Sequence, residues 1–128
     1  MVELDQSKPL NSQAVARLFV EYWKLLKASS KTVEKLAEKD VKKFSSQLRY
    51  SELQFATIAE TLGLNIVTFD GEYFSAGLAA SADNFEDFDD GEQLVVVKTI
   101  EPTIVYEMKI LSKGRVLVDK KSETWKDK

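Results

Sequence analysis

The sequence contains no cysteine and no histidine, and each absence narrows the possible functions. Without cysteine there are no disulfides and no thiolate chemistry, which fits a cytoplasmic protein. Without histidine, Ser-His-Asp and Cys-His catalytic arrangements and zinc sites of the usual Cys/His kind are excluded. An enzyme would have to use carboxylates, lysines, tyrosines or a bound cofactor. We therefore expect a protein that is not an enzyme and carries no cofactor.

Glycine-rich motifs, long apolar runs and an excess of positive charge are also missing. The five glycines form neither G-x-x-x-x-G-K nor G-x-G-x-x-G, so no phosphate-binding loop is expected. No apolar run approaches the about 20 residues of a membrane span, and the N-terminus lacks the pattern of a secretory signal. A net charge of −3 argues against a dedicated nucleic-acid binder. These absences predict a cytoplasmic protein with no membrane and no nucleic-acid partner.

The N-terminal part of the chain has the spacing of an amphipathic helix. Residues 1–11 are predicted to be a flexible arm. Apolar residues then recur at helical spacing from Ala14 to Leu26, and Asn11 or Ser12 can cap this helix. Ser29-Ser30 is either a turn or a polar patch within one longer helix. The apolar face is broad, so we expect it to be covered on more than one side.

A second helical segment is predicted from about Thr32 to Leu62, with Gly63 at the C′ position where helices often stop. Its apolar residues recur at steps of three and four, except that Ser51 occupies a position where this spacing would have an apolar residue. Two interpretations are open: a coiled-coil dimer interface, or an amphipathic helix packed on its own domain. Together with one residue of the first helix, the predicted dimerisation residues are Leu18, Val41, Phe44, Leu48, Phe55, Ile58 and Leu62.

Strand patterns replace helical spacing after Gly63. Leu64 to Phe69 alternates, Asp70-Gly71 predicts a two-residue hairpin turn, and Leu94 to Lys98 is a β-branched strand. Helices followed by a run of strands predict the α+β class: long N-terminal helices that dimerise, then a small, mainly antiparallel β-domain. The predicted organisation is an arm at 1–11, a helical dimerisation region at 12–62, a β-domain at 63–118 and a charged tail at 119–128.

The acidic segment from Asp83 to Glu92 is the densest cluster of carboxylates. An EF-hand loop needs acidic residues before a glycine at position 6 and a glutamate at position 12. With Gly91 at position 6, Phe88 and Val97 occupy positions that need carboxylates. We therefore predict no metal site, and a solvated connection between strands.

The segment from Glu101 to Val118 contains a proline turn, short β-rich runs and Gly114, where a tight turn would need permissive backbone angles. It resembles the closing strands of the β-domain of GrpE, the nucleotide exchange factor of DnaK-type chaperones. The resemblance extends back to residue 62. The positions that carry it are Leu62-Gly63-Leu64, Gly71-Glu72-Tyr73-Phe74, Leu78, Leu94 to Val97, Glu101-Pro102, Lys109-Ile110-Leu111 and Arg115 to Val118.

The chain departs from the GrpE pattern at several of its motifs. Ser75-Ala76 stands where the family has Asp-Pro, and Ala79-Ala80-Ser81 stands where it has His-Glu-Ala. Thr103-Ile104 replaces Gly-Tyr, and Ser112 replaces an arginine. These departures affect expected chaperone contacts more than the expected fold.

The resemblance implies a GrpE-like cochaperone or adaptor that binds a DnaK-type ATPase and promotes nucleotide exchange as a homodimer. It implies partner contacts by four residues: Phe74, Leu78, Lys109 and Arg115. The alternative is a non-enzymatic assembly or interaction protein whose GrpE-like β-domain has lost chaperone binding. Fold-level analogy does not choose between them.

Overall fold

A computed structural model describes residues 11–121 of the chain. These residues form two helices, α1 (Ser12–Val33) and α2 (Glu38–Thr61), and then seven strands. The strands are β1 (Leu64–Val67), β2 (Tyr73–Phe74), β3 (Ala80–Ala82), β4 (Leu94–Glu101), β5 (Thr103–Tyr106), β6 (Lys109–Ser112) and β7 (Gly114–Lys120). Two helices followed by mostly antiparallel strands confirm the predicted α+β class.

The structure describes the predicted arm and the predicted tail only in part. The arm, except for Asn11, lies outside the described residues, as do residues 122–128 of the predicted tail. Strand β7 continues beyond Val118 to Lys120, because Leu94 and Val95 of β4 pair with Lys120 and Asp119. The first two residues of the predicted tail therefore belong to the sheet.

Helix α1 begins as predicted but ends later. The side-chain oxygen of Asn11 accepts hydrogen bonds from the backbone N–H groups of Gln13 (3.0 Å) and Ala14 (3.2 Å), which satisfies two donors that the first turn leaves free. The helix passes through Ser29-Ser30, so that pair is a polar patch and no turn. Thr32 lies in its last turn, where its hydroxyl donates to the Ala28 carbonyl oxygen at 3.0 Å.

The break between the helices lies at residues 34–37, and the predicted start of the second helix at Thr32 is wrong. Ala37 is extended, with φ −61° and ψ 146°, and α2 begins after it. At the other end Gly63 has φ +74°, the left-handed conformation that glycine adopts without steric cost. The predicted helix stop at Gly63 is confirmed.

A three-stranded antiparallel sheet, in the order β1-β5-β6, packs against the helices. Phe55 of α2 contacts Phe19 and Tyr22 of α1, with ring centroids 5.3 and 5.0 Å apart. Helices and sheet thus share one core, whose buried members are Ala16, Phe19, Val20, Leu26, Phe55, Ala59, Leu64 and Ile104. This core therefore contains residues from both sides of the predicted boundary at 62/63 between the helical region and the β-domain.

A four-stranded sheet, in the order β2-β4-β7-β3, carries a second core. Within residues 11–121 its β3–β7 pair is the one parallel pairing. The buried members of the second core are Phe69, Ala80, Leu94, Val96, Val116 and Val118.

Asp70-Gly71 forms a turn but not the predicted hairpin. The Glu72 N–H donates to the Phe69 carbonyl oxygen at 3.0 Å, and Gly71 has φ +85°. The strands on either side do not pair: β1 pairs with β5, and β2 pairs with β4. The turn carries the chain from one sheet to the other, a topology that local turn chemistry does not encode.

Gly114 is needed for space and not for a turn. It is the first residue of β7 and is not among the residues with positive φ. A Cβ at this position would lie 2.7 Å from both the Glu101 carbonyl oxygen and the Thr103 hydroxyl oxygen. The expectation of a tight turn at Gly114 is therefore wrong, and close approach of β7 to the β4–β5 connection explains the glycine.

Candidate functional site

The four predicted partner-binding residues do not form one surface. Phe74 and Leu78 are half-buried and pack against the second core. The Phe74 ring lies 5.8 Å from the ring of Phe85, which is half-exposed. Arg115 also belongs to the four-stranded sheet, whereas Lys109 is exposed on β6 of the three-stranded sheet.

Arg115 is held by two carboxylates. Its Nη2 donates to Asp83 Oδ2 at 2.7 Å and its Nε donates to Asp83 Oδ1 at 3.2 Å, a bidentate arrangement. Its Nη1 lies 3.5 Å from Glu101 Oε1. The resemblance implies that Arg115 contacts a partner, yet its guanidinium ties the acidic segment to β7 within the chain.

Asn84 makes a second tie between the acidic segment and β7. Its side chain donates to the Val118 carbonyl oxygen at 2.9 Å and accepts from the Val118 N–H at 3.0 Å. With the Asp83–Arg115 pair, this anchors the start of a segment that was predicted to be only a solvated connection.

Glu101 is the centre of a charge network that sequence reasoning missed. Its side chain is only 5% exposed, and its Oε2 accepts from Arg17 Nη2 at 3.0 Å and from Lys24 Nζ at 3.1 Å. Both cations come from α1, so the network joins the helix to β4. One feature of the sequence could have indicated this network. Glu101 lies within an apolar run that ends at Tyr106, and a charge buried among apolar residues needs a partner.

Neighbouring cations lower the pKa of two carboxyl groups, those of Glu101 and Asp83. Burial alone raises the pKa of Glu101, but hydrogen bonds from Lys24 and Arg17 and their positive charges outweigh burial and hold it below its ordinary value. The hydrogen bond from Arg115 lowers the pKa of Asp83. Both groups are therefore ionised at neutral pH, and their role is to hold elements together rather than to transfer protons.

The β5–β6 hairpin has a strained and exposed tip. Tyr106 pairs with Lys109, so Glu107 and Met108 form a two-residue loop. Their φ values are +48° and +66°, as a type I′ turn requires, although neither is a residue that tolerates this conformation well. Met108 is 96% exposed. Strain combined with an exposed apolar side chain makes this tip a candidate contact point.

We expect the variant Glu107→Asn with Met108→Gly to be more stable than the unmodified protein by about 1 kcal/mol. Each left-handed non-glycine residue costs about 1–2 kcal/mol, and asparagine and glycine remove much of that cost, partly offset by the flexibility of glycine when unfolded. Urea unfolding measures the difference. Met108→Ala is the control, because it shortens the side chain and leaves the strain; an equal gain there would contradict the explanation.

A second exposed surface, here called the helix face, lies on one side of the α1–α2 pair. The Tyr22 hydroxyl donates to the Ser51 carbonyl oxygen at 3.2 Å and marks where the helices meet on this side. Helical spacing places side chains three, four or seven residues from Tyr22 on α1, or from Ser51 on α2, beside that contact. Four of these side chains are apolar and exposed by 42–65%: Leu18, Leu25, Phe44 and Ile58.

The predicted dimerisation residues separate into two groups. Phe55 is buried in the protomer's own core and Leu48 packs against it, so neither can serve as a free interface residue. For these two, the interpretation of a helix packed on its own domain applies. Leu18, Phe44, Ile58 and Leu62 are exposed by at least 41%, and Val41 is half-buried.

Residues 11–121 contain no helix that is long and apolar enough to cross a membrane. In the same part of the chain, no three acidic, histidine or cysteine side chains come together as metal ligands could. Comparisons with protein-family models, curated proteins and solved structures found no match for this chain.

Proposed function

We propose that this chain is a cytoplasmic, homodimeric GrpE-like cochaperone or adaptor that binds a DnaK-type ATPase and promotes nucleotide exchange. It acts by binding and is not an enzyme. The observation that carries the proposal is the β5–β6 hairpin tip, where Met108 stands exposed on strained backbone. The predicted contact residue Lys109 follows it as the exposed first residue of β6. Exchange follows if the tip binds the open state of the ATPase more tightly, because coupling between the two ligands is reciprocal.

The helix face supports the homodimer. Helix α1, with 22 residues, is about 33 Å long, and two helices side by side span about 20 Å. The face therefore offers roughly 650 Å², close to the about 800 Å² per partner of a standard interface. A twofold pairing of this face with its copy would cover the four exposed apolar side chains.

We expect the unmodified protein to sediment as a dimer at micromolar concentration, and Leu18→Asp with Ile58→Asp to sediment as a folded monomer. Both residues are exposed, so the charges disrupt the interface without entering the core. Leu53→Asp is the control, since Leu53 is about as exposed as Leu18 and more exposed than Ile58 but lies about 200° around α2 from Ser51. A monomeric unmodified protein would rule out the dimer.

We expect the unmodified protein to accelerate release of a fluorescent nucleotide from a DnaK-type ATPase, and Met108→Asp with Lys109→Glu to lose at least about tenfold of that effect. Well-buried charged contacts across an interface are worth a few kcal/mol each. Lys113→Glu is the control: it repeats the charge reversal of Lys109→Glu at an exposed position beyond β6. Equal loss in the control would assign the effect to net charge.

A second candidate is an adaptor that has lost chaperone binding and contacts another protein. One observation favours it: Arg115, a contact residue implied by the resemblance, is occupied by Asp83 and Glu101 within the chain. If the unmodified protein neither accelerates nucleotide release nor binds the ATPase, the cochaperone proposal fails and the adaptor remains.

A further inference from the structure

A cleft of about 720 Å³ lies between the second half of α1 and strand β4, next to the Glu101 network. Its apolar walls include Trp23 of α1 and Val97 and Ile100 of β4. The volume falls within the about 300–1,000 Å³ typical of small-molecule sites. The cleft lies on the opposite flank of α1 from the helix face, because Lys27 is about 200° around the helix from Leu25.

Two irregularities in β4 shape the strand wall of this cleft. The pairing of β4 with β7 shifts register between Val96 and Lys98 and again between Thr99 and Glu101. The extra residues are Val97 and Ile100, and both line the cleft. β-Bulges redirect side chains and are frequent beside binding sites. Val97 is 45% exposed although Val95 and Val96 are fully buried, so the bulge places an apolar side chain at the cleft.

Lysines line both sides of the cleft. Lys24, Lys27 and Lys31 follow one another at helical spacing, so their row spans about 10 Å along α1, and Lys98 comes from β4. Lys24 is paired with Glu101. Lys27, Lys31 and Lys98 make no ion pair with any residue from 11 to 121. In a chain of net charge −3, this concentration of positive charge indicates an anionic ligand.

Simpler explanations account for only part of this charge. Lys31 lies in the last turn of α1, where the helix dipole favours a cation. Lys27 lies 5.4 Å from the centre of the Trp23 ring, a cation–π contact that is also compatible with a ligand beside it. Lys98 has neither explanation, since it is exposed on the bulged strand.

The carboxylate of Asp70 lines the cleft but is already engaged. The Thr99 N–H donates to its Oδ1 at 3.0 Å and the Thr99 hydroxyl donates to the same atom. The Phe69 N–H in turn donates to the Thr99 hydroxyl oxygen at 3.0 Å. The Thr99 bond occupies a backbone donor of β4 beyond its short pairing with β2, so an added peptide strand would find that donor taken. A small molecule fits the cleft better than a peptide.

We propose that this cleft binds a small polyanion that carries an aromatic ring, the chemistry of a nucleoside polyphosphate. Lys27, Lys31 and Lys98 supply positive charge for the phosphates, and lysine is a common phosphate-binding residue. Trp23 and Val97 supply an apolar surface for the ring. The site lies within one protomer and is separate from the hairpin tip, so it depends on neither the dimer nor the chaperone proposal.

The test is calorimetric titration of the full chain with ATP at low salt. We expect a dissociation constant below about 1 mM, raised about tenfold or more in Lys27→Ala with Lys98→Ala, because two charged contacts to the phosphates are then lost. Lys39→Ala with Lys42→Ala removes the same charge from exposed positions on α2 and should change binding less than about twofold. The monomeric Leu18→Asp, Ile58→Asp variant should bind as the unmodified protein does.

Two further measurements separate a built site from general charge attraction. Val97→Glu adds a negative charge inside the cleft and should abolish binding. Thermal unfolding shows whether this variant folds. If it does not fold, the variant Lys27→Ala with Lys98→Ala tests the site instead. Tripolyphosphate and adenosine should each bind more weakly than ATP. No binding of ATP at millimolar concentration, equal weakening by both lysine pairs, tripolyphosphate as tight as ATP, or tighter binding of an acidic peptide would each overturn the proposal.

Discussion

Gly114→Ala is expected to destabilise the protein by about 3 kcal/mol, a large part of the 5–15 kcal/mol that holds a typical domain folded. The added methyl group would lie 2.7 Å from the Glu101 carbonyl oxygen and from the Thr103 hydroxyl oxygen. Overpacking of this kind costs about 1–3 kcal/mol. The Gly114 N–H also donates to the Thr103 hydroxyl oxygen at 2.8 Å, and moving β7 away would weaken that bond by about 1 kcal/mol.

Gly77 provides the matched control for this change. It has no positive φ, and a Cβ there would meet no atom within 4 Å. Gly77→Ala should therefore be neutral or slightly stabilising, by up to about 1 kcal/mol, because alanine restricts the unfolded chain. Urea unfolding of both variants measures the contrast. If the two substitutions change the free energy of unfolding equally, close approach is not the reason for glycine at 114.

Removing both helix cations, in Arg17→Ala with Lys24→Ala, is expected to destabilise the protein by roughly 3 kcal/mol. The change leaves the buried Glu101 carboxylate with Arg115 as its remaining cation, at 3.5 Å. Breaking a buried pair from one side costs more than the pair itself contributes, because an uncompensated charge stays buried. The expected loss of stability lies at the low end of the range usual for a broken buried ion pair, because Arg115 remains beside Glu101.

Neutralising the glutamate tests this explanation. Glu101→Gln, added to Arg17→Ala with Lys24→Ala, should recover part of the lost stability, since no buried charge then lacks its partners. Arg49→Ala with Lys42→Ala removes two exposed cations from α2 and should change the free energy of unfolding by less than about 0.5 kcal/mol. A triple variant less stable than the double variant would show that packing, and not charge, links α1 to β4.

The pH dependence should follow from the same carboxylate. In the unmodified protein the folded pKa of Glu101 is lowered, so its stabilising effect is complete above its ordinary pKa of about 4.5. The effect is lost as pH falls through the lower folded value. Without Arg17 and Lys24, the hydrogen bonds and charges that lower the pKa of Glu101 are removed, whereas the burial that raises it remains. The deficit of the double variant should therefore be larger at pH 7 than at pH 4.

Local features determined the elements and part of their ends. The apolar spacing of α1, the cap at Asn11 and the stop at Gly63 all depend on interactions within a few residues, so the sequence alone indicates them. The change from period 3.6 to period 2 after Gly63 likewise predicts the α+β class. The helix break at 34–37 was not predicted, because those residues include neither glycine nor proline.

Tertiary structure decided how the elements pair and which residues meet. Asp70-Gly71 predicts a turn correctly, but whether its flanking strands pair depends on competition with β4 and β5, which lie 20 or more residues away. Glu101 meets Arg17 across 84 positions, and the cleft beside it exists because two bulges redirect residues of β4 toward α1. Contacts at such separation depend on the whole packing arrangement, whereas helix caps and turns depend on neighbours along the chain.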